Sequence, residues 1–94
     1  MPYVLKDKAV IWEPDILKWA EFIAHVDERS VAKTQVASDI SVSTVFIGIS
    51  KDCLFETMVF GGLHDGEQRR CSTWKDAESN HVEVVDFVKE SLGL

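Results

Sequence analysis

His81 is the residue in this chain best placed to move a proton. It stands on the apolar stripe of a helical pattern, seven residues after Trp74. Glu56, Thr57 and Arg70, in strand-like segments upstream, are the polar groups it could approach. A neutral imidazole beside a carboxylate is the raw material of general base catalysis. A polar pocket of Glu56, Thr57 and Arg70, closed by Trp74 and His81, could hold a small molecule. The competing reading is structural: a lone His on an apolar helix face is a hydrogen-bonded core residue, and Glu56 pairs with Arg70 across the sheet, fixing its register. His64 and Asp65, in a turn-rich loop, are further candidates for contact with a ligand or partner.

Metal and nucleotide chemistry are not signalled. Cys53, His64, Cys71 and His81 are spaced by eleven, seven and ten residues and include no close ligand pair of the kind structural zinc sites use. Ser43, Ser72 and Cys71 lack the strand–nucleophile–helix elbow of G-x-S-x-G enzymes. Gly61-Gly62 and Gly66 form neither a P-loop nor a dinucleotide fingerprint, and the Gly pair suits a turn that needs positive φ. No catalytic residue, metal or cofactor is therefore assigned.

The elements that must position these groups fit in one domain spanning all 94 residues. A formal charge of −6, with ten scattered basic residues of which only Arg69 and Arg70 are adjacent, argues against binding a phosphate backbone. An acidic surface keeps a protein soluble, and it can also dock on a basic partner or mimic nucleic acid. The longest apolar run, residues 45–49, falls far short of the roughly 18 residues of a membrane span. The first residues lack a secretion signal, so a cytoplasmic protein with two free thiols is expected.

Residues 3–5 and 9–12 flank a polar Lys6-Asp7-Lys8 and predict a small hairpin. Pro14 and Asp15 open a helix whose Ile16, Leu17, Trp19, Ala20, Phe22, Ile23 and Val26 make a wide stripe, predicting a well-covered helix that ends near Val26. Strands follow over residues 31–36, 41–49 and 53–60, the middle one apolar enough to be covered on both faces or buried at an interface. Arg69-Arg70-Cys71 suggest a brief fourth strand, and Ser72-Thr73 cap a last helix that Gly93 stops. The fold class is α+β: an antiparallel sheet with two helices on one face, in the order ββαβββ(β)α, with three Trp and five Phe supplying much of the core.

Three segments carry a resemblance. Residues 42–49 (VSTVFIGI), residues 55–62 (FETMVFGG), and Ser72-Thr73-Trp74 with Ala77-Glu78 and His81 resemble small uncharacterised proteins of tailed phages and prophages. The likeness extends to the Trp19 helix and residues 31–34, and so covers most of the chain. Two features depart from that pattern: Ser50-Lys51-Asp52 stands in place of a longer Gly/Pro-rich loop, and Cys71 in place of Tyr. The resemblance implies a non-catalytic protein of the bacterial cytoplasm that binds a host or phage protein, a host-defence component being one such target. Self-association as a homodimer is compatible with it. The reading from a different class is a small-molecule-binding or enzymatic domain centred on Glu56, Arg70, Trp74 and His81.

Overall fold

A positive φ at both Asp7 (51°) and Lys8 (69°) folds the first residues into a tight hairpin, because such a turn matches the twist of the strands it joins. The computed structural model describes residues 3–94. The hairpin consists of β1 (Tyr3–Lys6) and β2 (Ala9–Trp12), which form a two-stranded sheet of their own. Asp15 then caps α1 (Ile16–Ala24), its Oδ1 accepting from the backbone N–H groups of Leu17 at 3.0 Å and Lys18 at 3.4 Å. At His25 the backbone leaves the helical region (φ −90°, ψ 87°), and the chain resumes as a single turn, α2 (Val26–Arg29).

The expectation of a well-covered first helix fails. No residue of α1 or α2 is buried, and Ile16 and Leu17 are 65% and 78% exposed. A periodic stripe shows which residues share a face but not how much protein lies against that face. Only Trp19, Phe22 and Ile23 of α1 reach half-burial, with Phe22 edge-on to Phe46 at 5.9 Å.

Four strands follow as an antiparallel meander: β3 (Ser30–Ala37), β4 (Ile40–Ser50), β5 (Cys53–Phe60) and β6 (Gln68–Cys71), neighbours in that order. Residues of β4 alternate strictly, with Ile40, Val42, Thr44, Phe46 and Gly48 buried and the residues between them half-buried from 41 to 47. The strand is therefore covered on one face, not both. Where the β4–β5 register shifts between Phe46 and Ser50, Gly48 adopts φ +61°, and a Cβ there would lie 2.9 Å from the Tyr3 carbonyl oxygen. That close approach is where β1 meets the sheet.

The last helix, α3 (Trp74–Ser91), starts at Thr73, whose Oγ1 accepts from the Asp76 N–H at 3.1 Å. Its stripe of Ala77, His81, Val84, Val85 and Val88 is buried on the sheet. One cluster joins Val84, Val85 and Val88 to Ile40, Val42 and Val59, and a second joins Ala77 to Tyr3, Phe46, Leu54 and Phe55. Each such aliphatic or aromatic burial stabilises by about 1.5–3 kcal/mol. Aromatic residues supply less of this core than expected: Phe46 and Phe55 are buried, but Phe60, Phe87 and Trp12 are exposed, and Trp19 and Trp74 are half-buried. The architecture is α+β, with antiparallel sheets and helices packed against the four-stranded sheet.

Candidate functional site

The strand register sorts every polar candidate onto one of two sheet faces. On the α3 side, Ala32, Thr44, Thr57 and Arg69 form one row across the strands, flanked by rows containing Val42 with Val59 and Phe46 with Phe55. On the other side, Val45, Glu56 and Arg70 form a row, followed by Lys33, Ser43, Met58 and Gln68, then Gln35, Ser41 and Phe60. Because side chains alternate along a strand, these two sets never share a surface.

His81 belongs to the α3 side and is 6% exposed. Its Nε2 lies 2.8 Å from Thr34 Oγ1 and its Nδ1 2.8 Å from Thr44 Oγ1, and Thr44 Oγ1 in turn lies 2.7 Å from Thr57 Oγ1. A neutral imidazole has one donor and one acceptor nitrogen, and a hydroxyl can serve as either, so the chain of bonds is satisfied in either direction. Burial pushes the His81 pKa below its ordinary value, which keeps the ring neutral. Both ring nitrogens are already committed to Thr hydroxyls. The cluster therefore ties α3 to β3 and β4 and has no free nitrogen for a substrate proton.

Glu56 and Arg70 lie on the opposite face, where Arg70 Nε donates to Glu56 Oε2 at 3.0 Å. This is the cross-strand pair the sequence implied, set at Cα partners in the β5–β6 register. The hydrogen bond to Glu56 raises the already high pKa of the Arg70 guanidinium, with a further contribution from Cys53. Trp74 sits on the α3 side, edge-on to Phe55 at 6.2 Å, with the Lys8 ammonium 5.5 Å from its ring centroid. It borders a cleft of about 370 Å³ together with Leu5, Asp7, Lys8, Phe22 and Glu28. Glu56, Arg70, Trp74 and His81 thus do not converge on one cavity: two lie on one sheet face, and of the other two one is sealed in the core and one borders a cleft at the hairpin.

The loop candidates do local structural work. Asp65 Oδ1 accepts from the Gly61 N–H at 2.7 Å, and the His64 ring lies 4.5 Å from that of Phe87 on α3. Cys53 and Cys71 are free thiols, and burial pushes the Cys71 pKa up. Among the described residues no three His, Cys, Asp or Glu side chains come together to hold a metal, and no helix is long and apolar enough to cross a membrane.

Thr34 and Thr44 were not legible as partners of His81. The one signal available was that three strands each carry a Thr at a position that faces a helix, a pattern that exposed strand threonines share. Compared with protein-family models, curated proteins and solved structures, the chain matches none.

Proposed function

We propose that this chain is a small non-catalytic protein-binding domain of phage or prophage type, acting in the bacterial cytoplasm on a host or phage protein. A host-defence component is one such target. The observation that carries the reading is the sheet face away from α3. There Val45, Ile47 and Met58 are half-buried, Phe60 is exposed, and all four lie outside both core clusters. Lys33, Gln35, Gln68 and the Glu56–Arg70 pair surround them. An apolar centre inside a polar rim is the anatomy of a protein–protein interface. The committed ring nitrogens of His81 support a binding role over a catalytic one. Association of two copies is compatible with the same proposal.

The test is affinity capture from host lysate on immobilised protein, beside Phe60→Asp and Met58→Asp variants that keep the native far-UV spectrum. A protein retained by the parent and lost from both variants is the expected result. Identical capture by all three, or none by the parent, would remove the reading.

A further inference from the structure

We propose that the cleft beside Trp74 binds an organic cation, a guanidinium carried on an apolar stem, and that Lys8 takes part of its place in the free protein. The inference stands apart from the sheet face argued above and needs nothing from it. Three parts of the chain that meet only in the folded molecule build the cleft. The β1–β2 hairpin contributes Leu5, Asp7 and Lys8, the two helices that follow contribute Phe22 and Glu28, and the start of α3 contributes Trp74.

The lining selects the ligand by elimination. Leu5, Phe22 and Trp74 are half-buried apolar surface, while Asp7, Lys8 and Glu28 are exposed. Two carboxylates against one ammonium leave the cleft negative in a chain of charge −6, so a phosphate or carboxylate ligand is repelled. A metal ion is poorly served, because among the described residues no three His, Cys, Asp or Glu side chains come together to hold one. A wholly apolar ligand would crowd three charged groups and pair none of them. An organic cation matches both halves of the lining, its stem against the apolar side chains and its charge against the carboxylates.

Lys8 shows where that charge goes. Asp7, Lys8 and Glu28 join neither of the two ion pairs among the described residues, and the Lys8 ammonium lies instead 5.5 Å from the Trp74 ring centroid. That distance is near the outer limit of about 6 Å for a cation–π contact. The ring thus holds a cation loosely while two carboxylates in the same cleft stay unpaired. A flat guanidinium stacks on an aromatic face and offers its edge to a carboxylate at once, which a compact ammonium does not. It displaces an exposed Lys8 that has no ion pair to lose. At about 370 Å³ the cleft is at the small end of ligand sites, with room for one arginine-like side chain. An arginine of a protein and a free guanidino compound offer this same group.

NMR titration of the isotope-labelled chain tests the proposal, with N-acetyl-arginine amide, agmatine and the uncharged N-acetyl-citrulline amide as probes. One cation–π contact and two exposed ion pairs support weak binding, with a Kd of about 1 mM. Both cations should give saturable shifts at residues 5–8, Glu28 and the Trp74 indole N–H, and the citrulline probe should give none. Asp7→Asn and Glu28→Gln should each weaken binding about threefold. Lys8→Asn should tighten it about threefold by clearing the ring, a gain that a purely structural cleft would not show. Asn suits both turn positions because it tolerates positive φ. Equal affinity for the two cations points to an arginine side chain, and a preference of about tenfold for agmatine to a free compound; either supports the proposal. No saturable shift by about 10 mM overturns it, as do equal shifts from the citrulline probe or weaker binding by Lys8→Asn. Shifts centred on the α3 carboxylates would also sink it, since they mark diffuse attraction to an acidic surface.

Discussion

Leu17 and Val88 both stand on apolar stripes of helices in one small protein, yet Leu17 is 78% exposed and Val88 only 2%. The difference is between two regions. In the body, from β3 to α3, four paired strands present a continuous face, and α3 has five stripe residues buried against it. In the first 29 residues, a two-stranded hairpin and two short helices bury a single described side chain, that of Tyr3. A two-stranded hairpin is marginal by itself, so this region depends on what it touches. Polar satisfaction divides the same way. The body closes its Thr34–His81–Thr44–Thr57 chain, while the buried side-chain donors without a partner among the described residues are Trp19 Nε1, Arg29 Nε and Trp74 Nε1, all at or near the seam with the N-terminal region. An amphipathic pattern thus marks a surface that wants covering, and the neighbouring architecture decides whether the chain itself covers it.

The comparison breaks first if the core is not where the burial places it. Phe46→Ala should lower the unfolding free energy in urea by about 3–5 kcal/mol, while Leu17→Ala in dilute protein should change it by less than about 0.5 kcal/mol. Similar losses at the two positions would mean that α1 is covered after all. Next in size is the joint between the regions. Gly48→Ala places a Cβ against the Tyr3 carbonyl at φ +61°, so about 1–3 kcal/mol should be lost. The change should also show in the fluorescence of Trp12, which is edge-on to Tyr3 at 5.6 Å.

The His81 cluster sharpens the picture through pH. Burial lowers the pKa of His81 in the folded state, so the fold binds fewer protons there than the unfolded chain. Its stabilising share is whole above the unfolded pKa of about 6.5 and is lost as pH falls from that value toward the folded one. Urea midpoints measured across that window should decline for the parent and decline less for His81→Gln; parallel curves would sink the assignment. The smallest effect belongs to the surface. Arg69 Nη1 donates to Glu83 Oε2 at 2.6 Å, but both side chains are largely exposed, so Arg69→Gln should cost less than about 1 kcal/mol.

Much of the body was legible in the residues. Period-two alternation bounded by turns located β5 at residues 53–60, and the same alternation put Glu56 opposite Arg70. Thr73 announced the start of α3 because its hydroxyl is the acceptor that free helical N–H groups require. The candidate pocket was not legible. Glu56, Arg70, Trp74 and His81 are near one another along the sheet, but which side of the sheet each one takes depends on which face α3 covers.

Sequence by itself determined the elements and their order apart from the single turn α2, because turn chemistry, capping and hydrophobic period act between residues a few positions apart. It also determined that α1 has an apolar stripe. Only the tertiary structure decided that α3 covers the sheet face bearing Thr44 and Thr57, that Thr34 and Thr44 hold His81, and that the stripe of α1 stays open. Those outcomes depend on distances between segments far apart in the chain. A hydrophobic period reports the wish to be buried, and burial itself needs a surface of matching size within reach.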